Sequence, residues 1–288
     1  MPVQVLPALQ KGVRRYLALR GVRSETVRVA GHDLHHYVLD GVGKGPPVVL
    51  VHGLAGSANG FYKVLFGLAQ RFSRVYAPDL PGNGFSPLPE GGKGLGARRQ
   101  LEVLDAYLAE VVREPVFLVG NSLGGAMVAM LAHQRPERVK ALGLVSPAGA
   151  KVAAERLEAL RQSLAVKGPE DAKALTKRLF HKTPVTSLLL SGDMFRMYAT
   201  PSVHAVLEEL GPDDCVEEDC LRCLRVPAIL IWGKSERLLP YESVNYFREH
   251  LPPHAEIHEV EGFGHIPQME RPAELVRLLN GFADRAGL

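Results

Sequence analysis

The residues from about 45 to 149 alternate between short apolar runs and longer stretches of helical periodicity. The apolar runs PVVLVHG, SRVYAPDL, VFLVGNS and VKALGLVSPAG have the length and continuous hydrophobicity of strands buried on both faces. The stretches between them are FYKVLFGLAQRF, LEVLDAYLAEVV and GGAMVAMLAHQ, which favour helices. Because strands and helices alternate at this pitch, the segment predicts a mostly parallel sheet wrapped by helices, the α/β class of fold.

The rest of the chain extends this sheet and interrupts it once. At 25–40, the alternating segments ETVRVAG and HDLHHYVLD predict an antiparallel hairpin that enters the sheet. From about 150 to 225 the pattern is helical and polar, without a buried-strand run, and strand character returns at PAILIWGK and AEIHEVEG. We therefore expect a first part of the core at 1–149, a helical cap at 150–225 and a second part of the core at 226–288.

Composition bounds the partners and the compartment. The 288 residues are 46% hydrophobic with a formal net charge of +3, which is too small to favour nucleic acid as a partner. The start of the chain lacks the apolar run of an export signal, and no stretch reaches the length of a membrane span. We therefore expect a cytoplasmic protein whose cysteines, Cys215, Cys220 and Cys223, are reduced. No fourth ligand lies near them, so no metal site is predicted.

The N-terminal segment has the pattern of an amphipathic helix. Apolar residues recur at helical spacing and basic residues lie between them; the apolar set is Leu6, Leu9, Val13, Tyr16 and Leu17. This pattern suits attachment to a membrane surface, but it equally suits a helix that packs on its own domain. We favour packing, while the oligomeric state stays open.

The most specific motif is the passage from strand to helix in VFLVGNSLGGAMVAM. Ser122 lies between Gly120 and Gly124, directly after an apolar strand and before a helix. A turn this tight strains the serine backbone, and only small residues two positions before and after it avoid a clash. The helix that follows directs its free N–H groups toward the place where an oxyanion would form. The motif therefore indicates a nucleophilic serine.

A nucleophilic serine needs a base and an acid that orients this base. His265, in EGFGHIPQMERP, follows the last predicted strand, so its loop emerges at the same sheet edge as Ser122. The acid is expected between the two in sequence, and Glu236 in ILIWGKSERLLP follows a strand there. A solvated Glu236 paired with Lys234 or Arg237 is the alternative. We predict catalysis by Ser122, Glu236 and His265.

The oxyanion would need two backbone N–H donors. Leu123 supplies one, and Leu54, after the flexible Gly53 in VVLVHGLAG, is predicted to supply the other. His52 is expected to hydrogen-bond the loop backbone and to take no part in proton transfer.

With these motifs the sequence resembles the α/β-hydrolase superfamily over nearly its whole length, from the HG loop through GNSLGG and IWGKSE to GFGHIPQMERP. The resemblance implies an eight-stranded, mostly parallel sheet, a helical cap over the site and no cofactor. Two subgroups are close: carboxylesterases or monoacylglycerol-lipase-like enzymes, and the C–C hydrolases of ring-cleavage dienones. The sequence departs from the family pattern at Glu236, where Asp is usual, and at Ile266, where the C–C hydrolases often have Trp.

The cap and the loops suggest what the site would hold. Apolar side chains that could form an acyl pocket are Phe61, Met194, Phe195, Met197 and Phe263. Packing of the cap on the core is an equally good interpretation of the cap residues. The first hypothesis is hydrolysis of small-molecule carboxylic esters of short to medium acyl chains through an acyl-enzyme. The alternatives are C–C bond hydrolysis, cleavage of thioesters, lactones or amides, perhydrolysis, and a non-catalytic binding protein of the same fold.

Overall fold

The computed structural model describes residues 5–211 and 214–288 and contains one sheet of eight strands. The strands are β1 (Arg23–Val29), β2 (His32–Asp40), β3 (Val48–Val51), β4 (Arg74–Pro78), β5 (Val116–Asn121), β6 (Val139–Val145), β7 (Ala228–Gly233) and β8 (Glu256–Val260). Their order across the sheet is β1-β2-β4-β3-β5-β6-β7-β8. The hairpin of β1 and β2 and the pairing of β2 with β4 are antiparallel, and all other pairs are parallel. The predicted fold class is confirmed.

The helices of the described residues cover both faces of this sheet. They are α1 (Val5–Leu19), α2 (Leu65–Ala69), α3 (Ala97–Tyr107), α4 (Leu123–Gln134), α5 (Ala154–Leu164), α6 (Pro169–Leu179), α7 (Val185–Leu189), α8 (Ser191–Tyr198), α9 (Pro201–Glu209), α10 (Glu218–Arg222), α11 (Glu242–His250), α12 (Pro267–Glu270) and α13 (Pro272–Arg285). One apolar core joins the sheet to α3, α4 and α11, and a second joins it to α1, α2 and α13. A third, smaller apolar cluster lies among the helices between β6 and β7.

One predicted helix is shorter than its periodicity indicates. Of the segment at 61–72, only Leu65–Ala69 is α-helical, and the chain enters it through a 3₁₀ turn at Ala58–Phe61. In this turn the N–H groups of Gly60 and Tyr62 donate to the carbonyl oxygens of Ser57 and Asn59, each three residues earlier. Apolar spacing alone does not distinguish this tighter winding from an α-helix.

The insertion between β6 and β7 consists of α5 to α10 and contributes no strand to the sheet in its described part. Its last helix, α10, contacts α4 and α11 of the core and buries Cys220 and Leu221 there. The division into core at 1–149 and 226–288 and cap at 150–225 stays a prediction. None of the helices in the described part of the chain is both long and apolar enough to cross a membrane.

Parallel pairing brings the carboxyl ends of β3, β5, β6, β7 and β8 to one edge of the sheet. In open α/β sheets ligands bind outside this edge. The loops that follow these strands carry the candidate site.

Candidate active site

Ser122 occupies a strained turn between β5 and α4. Its φ is 57° and its ψ is −122°, which a residue with a side chain adopts only where the surroundings enforce it. A Cβ at Gly120 would lie 2.2 Å from the carbonyl oxygen of Gly124, and a Cβ at Gly124 would lie 2.4 Å from that of Val51. The close approach of strand, helix and neighbouring strand therefore requires both glycines. Ser122 is 9% exposed and lines the cavity described below.

His265 and Glu236 form a buried pair beside this turn. The Nδ1 atom of His265 lies 2.7 Å from Oε2 of Glu236, and the two side chains are 3% and 2% exposed. The other oxygen, Oε1, accepts the N–H groups of Leu238 and Leu239 at 2.7 and 3.1 Å. Burial by itself raises the pKa of Glu236, but the nearby His265 and these hydrogen bonds outweigh it and hold the pKa below its ordinary value.

An ionised carboxylate can only accept, so Nδ1 of His265 donates to Glu236 and Nε2 carries the lone pair. This is the tautomer that a general base requires. The alternative partners of Glu236 are engaged elsewhere: Lys234 pairs with Glu261 at 2.8 Å, and Arg237 donates to the carbonyl oxygen of Phe180.

The loop after β3 lies against the serine. A Cβ at Gly53 would be 2.8 Å from Cβ of Ser122, so a glycine is needed for this approach. Leu54 and Leu123 both line the cavity beside Ser122. Leu123 is the first residue of α4, so its N–H has no acceptor within the helix and is free to bind an anion.

His52 fixes the conformation of this loop. Its Nε2 accepts the N–H of Leu80 at 3.1 Å, so Nδ1 is the protonated nitrogen and donates to the carbonyl oxygen of Gly53 at 2.8 Å. Burial lowers the pKa of His52, which keeps the ring neutral. Because both ring nitrogens are engaged by the backbone, neither is available for proton transfer.

Asp79, directly after β4, is a second support of the loop. Asp79, 1% exposed, accepts the N–H groups of Ala58 at 2.6 Å and Phe85 at 2.9 Å. Its Oδ2 also lies 2.7 Å from Nδ1 of His35. The carboxylate thus joins the loop after β4 to the turn after Gly53, and the position of Asp79 at a strand end was the available signal.

Contacts of the histidine loop were not predicted from the sequence. Asn121 donates to the carbonyl oxygen of His265 at 3.0 Å and accepts from Gln268 at 3.0 Å. Glu270 accepts the N–H of Gly264 at 2.9 Å and that of His181 at 2.6 Å. These side chains join the loop of His265 to the serine turn and to the chain after α6. Their positions next to the two motifs were the only sequence signal.

Several of the candidate residues border one cavity of about 590 Å³, within the range of sites for small ligands. Ser122, His265, Leu54 and Leu123 line it, together with apolar side chains of α5 to α9. The lysines among the described lining residues are Lys63 and Lys151, both exposed, and no arginine lines it in the described ranges. The arrangement can polarise a carbonyl and transfer a proton in an apolar surrounding.

Some of the predicted pocket residues line the cavity in the structure and others do not. Phe61, Met194 and Met197 line the cavity. Phe195 and Phe263 are not among its described lining residues. Phe195 is half-buried against the apolar cluster of the insertion, and Phe263 is fully buried in the core that contains α13. The sequence pattern of the loop does not specify which face of the sheet Phe263 joins.

The comparisons with known proteins agree with this fold. Residues 46–272 match the model of the alpha/beta hydrolase fold family. Lipase 1 of Psychrobacter immobilis is 24% identical over 258 residues, covering 85% of this chain and 79% of the lipase. The 2-hydroxy-6-oxo-2,4-heptadienoate hydrolase of Pseudomonas putida is 27% identical over 258 residues, covering 85% of this chain and 91% of that enzyme.

Among solved structures, a membrane phospholipase A described as a bacterial virulence factor has a TM-score of 0.84 and 27% identity, covering 98% of this chain and 92% of its own. The family match, together with the lipase, dienoate hydrolase and phospholipase relatives, identifies a hydrolase. The chain belongs to the alpha/beta hydrolase fold family.

Proposed function

We propose that this protein is a serine hydrolase that cleaves small-molecule carboxylic esters of short to medium acyl chains through an acyl-enzyme intermediate. The observation that carries the proposal is the buried pair of His265 and Glu236, 2.7 Å apart, whose histidine lines the same cavity as the strained Ser122. The reaction requires no cofactor, and we expect it in the cytoplasm.

The first half of the reaction forms the acyl-enzyme. Nε2 of His265 accepts the proton of the Ser122 hydroxyl while the serine oxygen bonds to the ester carbonyl carbon. Negative charge then develops on the carbonyl oxygen, where the N–H groups of Leu54 and Leu123 stabilise it. The bond from the carbonyl carbon to the alcohol oxygen breaks, and His265 gives its proton to the leaving alcohol.

The second half restores the enzyme. His265 takes a proton from water, and the hydroxide oxygen bonds to the acyl carbon. The bond from this carbon to the oxygen of Ser122 breaks, Ser122 regains its proton, and the carboxylic acid leaves. In both halves Glu236 stabilises the charged imidazolium, and the low pKa of its carboxyl keeps it ionised.

The cavity favours a neutral ester over a ring-cleavage dienoate. A dienoate carries a carboxylate, and a buried carboxylate needs a cationic partner. The only cations among the described lining residues besides histidines are the exposed Lys63 and Lys151, and Lys63 donates to the carbonyl oxygen of Met269. An apolar ester has no such requirement. The dienoate hydrolase relative keeps C–C cleavage as the second candidate.

A serine substitution with a matched control tests the proposal. Ser122→Ala should lower kcat for p-nitrophenyl butyrate and octanoate by about 10⁴-fold or more, since nucleophile and base act as a unit. The control is Ser146→Ala at the end of the next strand: Ser146 is also buried with a positive φ of 40°, and its hydroxyl has no partner in the described residues. We expect Ser146→Ala to keep wild-type activity.

A fluorophosphonate should label the wild type on Ser122, as identified by peptide mass, and should not label Ser122→Ala. Cleavage of a dienoate is measured as the loss of its visible absorbance, with wild type, Ser122→Ala and Ser146→Ala. Ester turnover that survives in Ser122→Ala would contradict the assignment of the nucleophile. Cleavage of the dienoate without cleavage of any ester would replace the first candidate by the second, and labelling without turnover of either would favour a binding protein.

A further inference from the structure

Helix α1 forms part of the wall of the cavity, although it precedes the residues that match the family model. Leu6, Leu9, Gln10 and Val13 all line the cavity. Their spacing of three and four residues places them on one face of the helix. The amphipathic pattern of the N-terminal segment therefore has a partner within the same chain.

The C-terminal half of α1 is fixed to the α/β core. Leu17 is fully buried in the apolar core that includes Tyr37 and Phe61. The guanidinium group of Arg14 lies 4.9 Å from the ring centre of Phe85, and that of Arg20 lies 4.6 Å from the ring of Phe66. This half of the helix is therefore held independently of the insertion.

The N-terminal end of α1 is tied to α8 of the insertion. Oδ2 of Asp193 accepts the N–H groups of Val5 and Leu6, each at 3.0 Å. The first N–H groups of a helix have no acceptor within it, and the helix dipole favours a negative charge there. Asp193 is 6% exposed, and its Oδ1 accepts from Arg196 at 2.6 Å. Helix α1 thus bridges the core and the insertion across the cavity.

The contacts of α1 with the edge of the sheet indicate which part of the cavity this helix encloses. Ser122 follows the central strand β5, whereas α1 contacts β1 at the sheet edge and the 3₁₀ turn Ala58–Phe61. The same turn contacts β3, which is the neighbour of β5, and the residues from Asn59 to Lys63 line the cavity. A chain that extends from Ser122 past this turn therefore reaches the face of α1.

We propose that α1 is a specificity-determining element: Val13 and Leu9 limit the length of the apolar chain that the cavity accepts, and Asp193 holds them in place. This inference rests on the proposed ester hydrolysis and names the substrate class as esters whose apolar chain is long enough to reach α1. Short acyl groups react at Ser122 without reaching α1. The effect of a change in α1 must therefore grow with the length of the chain.

The first experiment fills the cavity from α1. Val13→Phe should lower kcat/KM for p-nitrophenyl dodecanoate by about tenfold or more, because each methylene that loses burial weakens binding about fourfold. The same substitution should change kcat/KM for p-nitrophenyl acetate less than about twofold. Val13→Ala should shift the optimum to longer chains. Since Val13 also packs on the core, Leu9→Trp at a half-exposed position is the second filling variant. Leu19→Trp is the control, because Leu19 is 79% exposed and is not a lining residue.

The second experiment releases the tie. Asp193→Ala should raise KM for the dodecanoate ester by at least about threefold, while kcat for the acetate ester stays constant. Asp193→Asn still accepts a hydrogen bond, so its KM for the dodecanoate ester should lie between those of Asp193→Ala and wild type. The control is Asp171→Ala: Asp171 accepts the N–H of Lys167 at 3.0 Å at the start of α6, and no hydrogen bond joins it to α1 in the described ranges. A general loosening of the insertion would affect both variants and both substrates.

A binding measurement separates this inference from the proposed function. Methyl dodecanoate and methyl acetate are titrated calorimetrically into Ser122→Ala protein with and without Val13→Phe and Leu9→Trp. If no ester is cleaved but the α1 substitutions weaken dodecanoate binding, the inference stands and the proposed function fails. If esters are cleaved but chain-length profile and dodecanoate binding are unchanged in both filling variants, α1 does not determine specificity and the inference is overturned.

Discussion

At the scale of single residues, Glu236 lies where the resemblance to the family predicts an aspartate, and its contacts fit the proposed role. Its longer side chain lets one oxygen reach Nδ1 of His265 while the other accepts two N–H groups of its own loop. The carboxylate is therefore fixed at both ends, and its orientation does not depend on the histidine alone. The lowered pKa of Glu236 follows from the same contacts, which outweigh the effect of burial.

Replacement of this carboxylate tests its role. Glu236→Gln keeps the size but removes the charge that stabilises the imidazolium, so kcat for p-nitrophenyl butyrate should fall by about 10²–10⁴-fold. The matched control is Glu261→Gln, which removes only the exposed pair with Lys234. Steady-state kinetics with both variants measure the difference. Equal kcat in Glu236→Gln and wild type would remove Glu236 from the mechanism.

The sequence predicted single site residues where each is marked by a strand end. Ser122, Glu236 and His265 all follow strands, so parallel pairing brings their loops together, as the structure shows for the last two at 2.7 Å. Asn121 ends β5 and Glu270 lies in α12, but neither position indicates its partner. Their contacts join loops that are distant in sequence, and only the folded arrangement of these loops creates them.

At the scale of elements, the loop after β3 sets how closely a backbone N–H approaches the nucleophile. The sequence predicted this loop from its glycine, but it could not predict the 3₁₀ turn that follows or the carboxylate of Asp79 that holds Ala58. It also could not predict which face of the sheet the loop of Phe263 joins. Hydrophobicity indicates that a side chain is buried, and the register of the elements decides where.

Adding a methyl group at either of two glycines tests whether the loop after β3 must lie this close to Ser122. Gly53→Ala places Cβ 2.8 Å from Cβ of Ser122, so loop or serine must move and kcat should fall by about 10²-fold or more through loss of an oxyanion donor. Gly60→Ala is the control, because a Cβ there meets no atom within 4 Å although Gly60 lines the same cavity. The measurement is kcat for p-nitrophenyl butyrate, with circular dichroism as a check of folding. Wild-type kcat in Gly53→Ala would show that the loop does not contribute a donor.

At the scale of the whole molecule, the chain buries polar groups in both layers that flank the sheet, and one of them makes stability depend on pH. His36 of β2 is 2% exposed in the layer of α3, where its Nδ1 lies 2.7 Å from the hydroxyl of Tyr107. Burial lowers the pKa of His36 to about 4, although the attraction of Glu25 opposes the shift. His35 and Arg23 add smaller effects in the direction of burial.

The sign of the pH effect follows from this lowered pKa. Between pH 6.5 and about 4 the unfolded chain binds a proton at His36 and the folded protein does not, so the free energy of unfolding falls as the pH falls through this window. The contribution reaches about 3 kcal/mol, since each pKa unit corresponds to about 1.36 kcal/mol.

Urea unfolding of wild type and His36→Gln at several pH values measures this loss of stability. The variant should lose less stability on acidification, whatever its stability at pH 7. His133→Gln, at an exposed position on α4, should keep the wild-type dependence. Parallel curves for wild type and His36→Gln would mean that another group causes the acid sensitivity.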